Sequence, residues 1–360
     1  MDEPRNYGPQ KNGAQYVEDL ASAYWKSQAL FTALELDLFE TLERGGGDLP
    51  SLARESGLDE EALGRFLSAL KILRLAEEYD GRYVNSAIAG KYLLRGSPHY
   101  MGGLILWRKY LAGAWRGLSD NLRAGGRTAF SDSGGLPDER ELETRRRMYI
   151  SAMDGTAIMK AEELLPIIDG LKPDRGVRIL DVGAGSGAIS AALLKKYPQA
   201  RAVLMDIPEI IGITMEYVSS RGVDDRCGYL PANALEPWPE SGKFGLIILS
   251  NIIHASGEKE AEFLLSQAAE RLEARGAIIV HDFFPEHCPQ KAALFDLNML
   301  ANTYNGRIFP SARIRDIITG LRLEASGLIP LESDTAVIIA SNDGKIIPEG
   351  LTNPENVYTV

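Results

Sequence analysis

The sequence predicts an α/β fold: a parallel, doubly wound sheet ending in an antiparallel strand pair, preceded by a mostly helical winged-helix region. Three observations carry this. From about residue 176, apolar runs of strand length alternate with helical stretches, as a parallel sheet with crossover helices requires. Before them come two helices and a short hairpin, the order of a winged helix. The last two strand-like runs are joined by too few residues for a crossover, so they must lie antiparallel.

Taken in order, residues 1–15 read as a disordered, polar lead-in without the apolar stretch of a secretory signal. From Tyr16 to Leu42 the apolar positions Leu20, Ala23, Tyr24, Phe31, Leu34 and Leu38 recur at helical spacing, and Gly45-Gly46-Gly47 ends the run. A short helix over Leu49–Glu55 follows. A longer one is opened by Asp59-Glu60-Glu61 and carries Leu63, Phe66, Leu67, Leu70 and Leu73 on one stripe. Leu75–Val84 predicts a hairpin turning at Asp80-Gly81. Residues 97–165 look helical apart from a loop near Gly125–Pro137, which makes residues 16–165 a first, helical domain.

The second domain, residues 166–342, holds the strands Val177–Val182, Ala202–Asp206, Gly228–Pro231, Phe244–Ser250 and Ala277–Asp282. Helices fall near 187–197, 208–221 and 258–274, with Ser256 as the expected N-cap of the last. The closing pair, Leu328–Leu331 and Thr335–Ala340, turns around Ser333-Asp334, and residues 343–360 form a polar tail.

The net charge is −11, and it is unevenly placed: 20 basic and 22 acidic side chains lie within residues 1–150, 19 and 28 after them. Such a surface repels phosphate backbones, so no nucleic-acid partner is expected. The two cysteines, Cys227 and Cys288, exclude a disulfide framework and a cysteine zinc site and fit a reducing, cytoplasmic setting. The longest apolar run, Phe244–Ile253, is too short to cross a bilayer.

The sharpest local signal is the run Ile179-Leu180-Asp181-Val182-Gly183-Ala184-Gly185-Ser186-Gly187-Ala188. It follows a strand and opens a helix, so its glycines let a ligand approach the backbone beside free helix N–H groups. Asp206 ends the next strand, where a carboxylate can accept hydrogen bonds from ribose hydroxyls. Together they imply an adenosine-containing cofactor. The spacing Gly183-x-Gly185-x-x-Ala188 also satisfies a loose dinucleotide fingerprint, although the antiparallel last pair argues against a second mononucleotide half.

Over residues 16–342 the chain resembles the two-domain S-adenosylmethionine-dependent small-molecule O-methyltransferases, of the plant caffeate and bacterial polyketide or phenazine type. The stretches that carry the resemblance are Asp181–Gly187, Asp206-Ile207-Pro208, Ser250-Asn251-Ile252-Ile253-His254, Val280-His281-Asp282 and, in the first domain, Ala33–Phe39. The resemblance implies a Rossmann-like class I methyltransferase sheet, a winged-helix dimerisation domain and a homodimer in secondary metabolism. It also implies that Asp181, Gly183, Gly185, Asp206, Ile207, Asn233, Ala234 and Ser250 line S-adenosylmethionine. The substrate side falls to Tyr149, Met153, Phe295, Met299 and Thr303. In this family the histidine is usually followed by Asp-Trp, here Ala255-Ser256, and Arg313 falls where relatives tend to carry a glutamate.

Methyl transfer to a phenol, whose pKa is about 10, calls for a base near neutral pH. His254, at the C-terminal end of a central strand, is placed for that, and Asp282 can hold its tautomer. A metal is not expected: His281 and Asp282 are consecutive on a strand and point to opposite faces. Arg145-Arg146-Arg147 reads as a solvated helix face, with an anionic acceptor group as the alternative.

The expected activity is therefore O-methylation of a small aromatic or polyketide-like hydroxyl. Three other classes stay open, apart from C- or N-methylation. A non-methylating relative on the same scaffold would be separated by a methyl-transfer assay, and an NAD oxidoreductase by cofactor titration. A winged-helix regulator is disfavoured by its acidic would-be recognition helix.

Overall fold

The computed structural model describes residues 12–128, 138–239 and 242–348. Residues 1–11 of the expected lead-in, 129–137 of the expected loop and the tail from 349 onward lie outside them. Contacts divide the chain into two units after Lys109, whereas the sequence pattern places the boundary at 165. A helical pattern shows which face is apolar but not which core receives it, and one helix runs unbroken over Glu139–Gly170, through the expected boundary.

In the first unit, α1 (Gly13–Ser22), α2 (Tyr24–Glu35) and α3 (Leu38–Glu43) replace the single helical stretch read from the sequence. Asp37 breaks it, adopting a left-handed backbone with φ 50° between α2 and α3. The helix α1 also takes over the end of the expected lead-in, with Asn12 accepting the Gln15 N–H. Then come α4 (Leu49–Ser56) and α5 (Glu60–Ile72), capped by the carboxylates of Asp48 and Asp59. The strands β1 (Ala76–Tyr79) and β2 (Arg82–Asn85) form the expected hairpin, with Asp80 and Gly81 both at positive φ. After α6 (Ala87–Tyr92), the boundary falls inside α7 (Gly102–Arg116). Leu38, Phe39, Leu63, Leu67 and Leu70 form the core of this unit, while Val17, Leu20, Tyr24 and Trp25 of α1 and α2 are exposed.

The second unit contains α8 (Leu118–Ala124), α9 (Glu139–Gly170) and the main sheet. Its strands are β3 (Arg178–Val182), β4 (Arg201–Asp206), β5 (Cys227–Pro231), β6 (Phe244–Ser250), β7 (Leu272–Asp282), β8 (Glu324–Ala325), β9 (Ile329–Pro330) and β10 (Ala336–Ser341). They lie in the order β5-β4-β3-β6-β7-β10-β8, with β9 on β10. The first five pair parallel, and β10 runs antiparallel to β7, β8 and β9. Alternate residues feed two cores: Leu180, Ile247 and Ile278 face one side, Ile179, Leu246 and Ile279 the other. A sheet covered on both faces needs such nearly continuous apolar strands.

The intervening helices are α10 (Ala188–Lys196), α11 (Pro208–Ser220), α12 (Glu258–Glu270), α13 (Pro289–Asn302) and α14 (Ser311–Gly320). Two expectations need correction. The helix read as 258–274 ends at Glu270 because β7 starts at Leu272, paired with Phe244 before an irregularity in register. Its N-cap is Gly257 and not Ser256, whose N–H closes the preceding turn onto the Ile253 carbonyl. No helix among the described residues is long and apolar enough to cross a membrane.

Candidate active site

The parallel strands bring their C-terminal ends to one edge, where Gly183, Gly185, Asp206, Asn233, Ser250, His254 and Asp282 end or follow the strands. After β3 the chain turns through Gly183, Gly185 and Gly187 at φ 70°, 55° and 67°. The three glycines are needed for different reasons. A Cβ on Gly183 would fall 2.7 Å from Ile252, and one on Gly187 would fall 2.7 Å from both Leu204 and Val218. On Gly185 it would meet only Ile150, at 3.7 Å. Gly183 and Gly187 thus pack the loop against the protein, while Gly185 leaves backbone open to a ligand.

Asp206, at the end of β4, faces this opening. One carboxylate oxygen accepts the Gly185 N–H and the other the Ile207 N–H, both at 2.8 Å. Burial raises its pKa, and these two bonds oppose the rise. Each oxygen keeps a lone pair for a hydroxyl donor. Ile207 is partly exposed beside it. Asn233, just past β5, is exposed and folds its turn by accepting the Leu235 N–H at 3.0 Å, and Ala234 accepts the Trp238 indole N–H. Asp181 stands apart from this group. Its carboxylate is buried and accepts the Ser190 hydroxyl at 2.6 Å, so it braces α10 behind the loop. Burial pushes its pKa up to about 6.

Ser250 ends β6 and is half-buried, and the chain then turns at Asn251 with φ 52°. His254 follows on a short turn. Its Nδ1 lies 2.6 Å from Asp282 Oδ1 at the end of β7. Asp282 also accepts the backbone N–H groups of His254 and Phe283, at 3.1 and 2.8 Å. A carboxylate partner assigns the ring proton to Nδ1 and leaves Nε2 as the acceptor. The ring stands edge-on to Phe283 and Phe295, whose own rings stack at 4.1 Å. Phe295 of α13 therefore joins the pair, with Met299 buried one turn on. Thr303 stands apart: its hydroxyl donates to the Met299 carbonyl and accepts the Gly306 N–H, which closes the end of α13.

On α9, Met153 is half-buried and Tyr149 exposed. Ile150, between them, packs with Ile210 and Ile213 and reaches the glycine loop. Arg221 secures this arrangement by pairing with Asp154 and donating to the Ser186 carbonyl. Arg146 and Arg147 pair with Glu139, Glu143 and Glu216 at the surface, and Arg145 lies over the Tyr110 ring. Arg313 pairs with Glu258 and Glu262 on α12, so the imidazole takes its carboxylate from Asp282. Among the described residues no group of three or more His, Cys, Asp or Glu could hold a metal ion.

Sequence reasoning missed Phe283 and Gly306. The aromatic after Asp282 was a usable signal. Gly306 had none, because its close approach is tertiary: a Cβ there would fall 2.6 Å from the His254 carbonyl oxygen.

The sequence model of the O-methyltransferase domain matches residues 115–321, and that of the O-methyltransferase dimerisation domain matches residues 18–95. The chain belongs to the O-methyltransferase family. Among curated relatives, it is 29% identical over 309 residues to the 3-hydroxy-5-methyl-1-naphthoate 3-O-methyltransferase of Streptomyces sahachiroi, across 83% of this chain and 86% of that one. It is 28% identical to the acetylserotonin O-methyltransferase of Bos taurus, across 85% and 91%. Its fold matches that of human N-acetylserotonin methyltransferase in complex with SAM, with a TM-score of 0.79 at 21% identity, covering 93% and 99% of the two chains. This O-methyltransferase is an S-adenosylmethionine-dependent enzyme. Its residues fit that cofactor: a Cβ on Gly185 would meet only Ile150, at ordinary contact distance, and the half-buried Asp206 carboxylate offers two oriented acceptors to ribose hydroxyls.

Proposed function

We propose that this O-methyltransferase methylates a hydroxyl of a small aromatic or polyketide-like acceptor, with His254 as general base and Asp282 as its orienting partner. The hydroxylated naphthoate in the Streptomyces relative's name supports an aromatic acceptor. The observation that carries the reading is the 2.6 Å bond from His254 Nδ1 to Asp282, which leaves Nε2 to take a proton beside the Phe283–Phe295 pair.

S-adenosylmethionine, when bound, supplies an electrophilic methyl group on a sulfonium. The chain supplies the rest. With it bound, Asp206 would hold the ribose, Ile207, Asn233 and Ala234 would flank the adenine, Gly183 would keep the loop packed so that Gly185 leaves room for the backbone approach, and Ser250 would meet the cofactor from β6. Asp181 acts through α10 on the shape of the loop. Phe295 and Met299, with Tyr149 and Met153 on α9, orient the acceptor, and Thr303 shapes the end of that wall. His254 Nε2 accepts the hydroxyl proton as the oxygen becomes nucleophilic, and Asp282 stabilises the imidazolium that forms.

His254→Ala should lower turnover by a factor of roughly 10² or more while leaving S-adenosylhomocysteine affinity unchanged. Calorimetry and single-turnover assays would check this, and unchanged turnover would remove His254 as base.

The reading includes a cytoplasmic homodimer formed through the first unit. The exposed Val17, Leu20, Tyr24 and Trp25 on α1 and α2, within or beside the matched dimerisation domain, support it. A monomeric mass in light scattering would refute it.

A further inference from the structure

Behind the active-site edge runs a buried chain of polar side chains that the methyl-transfer pair does not use. Lys160 of α9 is only 4% exposed. Its ammonium donates to Thr335 Oγ1 at 2.7 Å and Asp334 Oδ1 at 3.1 Å and also touches the Ser333 hydroxyl. Ser333 gives its own proton to Glu163, at 2.6 Å. Thr335 Oγ1 lies 2.8 Å from His281 Nε2, and His281 Nδ1 lies 2.8 Å from Ser250 Oγ. Thr335 and His281 are completely buried.

Counting donors gives this chain a direction. An ammonium can only donate. Thr335 accepts from Lys160, so its single proton is free for His281 Nε2. Nε2 therefore accepts, and Nδ1 carries the ring proton and donates to Ser250. The reverse order would leave the Thr335 proton with only Ser333 Oγ, at 3.4 Å, in a site where Thr335 and His281 are fully shielded from solvent. Burial, then the charge of Lys160, push the His281 pKa down to about 3, which keeps the ring neutral. Ser250 thus receives a proton from behind and keeps its own for a partner in front.

Strand order says where that front is. The edge runs β5, β4, β3, β6. With the adenine at β5, the ribose at β4 and the glycine loop at β3, the next strand end, β6, meets the amino-acid end of the cofactor. We propose that Lys160, Thr335 and His281 are positioning residues that commit the Ser250 hydroxyl to donate to the carboxylate of the cofactor's amino-acid end. This rests on the cofactor placement given under the proposed function.

The test compares S-adenosylhomocysteine with 5′-methylthioadenosine, which keeps adenine and ribose but lacks the amino acid, by calorimetry on the full chain. Thr335→Val keeps the side-chain shape and removes the hydroxyl. It should weaken S-adenosylhomocysteine binding by about ten- to a hundredfold, the scale of one hydrogen bond to a charged acceptor. Methylthioadenosine affinity should not change, Thr335→Ser should restore the loss, and in a Ser250→Ala background Thr335→Val should add nothing further. Nitrogen NMR of the wild-type protein should find His281 as the Nδ1–H tautomer. Equal weakening of both nucleosides, unchanged S-adenosylhomocysteine binding or an Nε2–H tautomer would overturn the relay alone. Wild-type protein that binds neither nucleoside would overturn the cofactor placement and the relay with it.

Discussion

The two halves of the active-site edge are built differently. On the β3–β4 side, backbone makes the site: three glycines at positive φ and a carboxylate held by two backbone N–H groups. On the β6–β7 side, side chains make it: His254 on Asp282, and Ser250 on His281. The first half is coded by adjacent residues and tolerates few substitutions. The second is assembled from separate strands, and its two consecutive residues His281 and Asp282 serve opposite faces of the sheet. The difference teaches that cofactor binding and proton handling should be separable by mutation.

Asp282→Asn is the largest expected departure on the β6–β7 side: turnover falls about a hundredfold, as the amide no longer fixes the tautomer or offsets the imidazolium. Cofactor affinity stays put in calorimetry, and a parallel loss of both would break the comparison. On the β3–β4 side, Gly187→Ala should cost about 2–5 kcal/mol in urea unfolding, since its Cβ meets Leu204 and Val218 from a left-handed backbone. Gly185→Ala should cost less stability and show mainly as several-fold weaker cofactor binding, because its Cβ would enter the open space. If the two glycines behaved alike, the loop would not be divided into packing and ligand-facing positions.

The smallest effect is expected from Asp181→Asn. The folded-state pKa of Asp181 is raised from 3.8 to about 6, so the folded state holds its proton while the unfolded chain has lost it. Stability is then lost as pH rises from about 4 to about 6 and levels off above. The asparagine variant escapes that loss. Its advantage over wild type in chemical denaturation should grow across this window and stay constant beyond it, and an advantage that shrank there would contradict the buried, brace-like role.

Legibility in the sequence follows the same division. The opening of α5 at Asp59, the Asp80-Gly81 turn, the parallel strands and the antiparallel β10 were all readable because each is set by neighbouring residues. The left-handed Asp37 was not, since aspartate tolerates that backbone without requiring it. The early start of β7 was hidden by Glu273 and Arg275, which look helical and solvated. The break after Lys109 differs from the expected boundary at 165 because the destination of α9 is a tertiary fact. In the site, Asp206 and His254 were marked by motif and strand end. Asp181, next to the glycines by sequence, faces away from the opening. Lys160 carried no signal, since nothing local announces that a lysine on a mixed helix is buried among two hydroxyls and a carboxylate 173, 174 and 175 residues onward.

The central claim is that His254 removes the acceptor's proton, and the most direct test varies how much that proton matters. Turnover of wild type and His254→Ala would be measured at fixed pH on a series of phenolic acceptors of similar shape and decreasing pKa. The account predicts that the defect of the variant, roughly 10² or more on a weakly acidic phenol, shrinks steadily as the acceptor ionises on its own. A defect of constant size across the series would contradict it and leave His254 a residue of position alone.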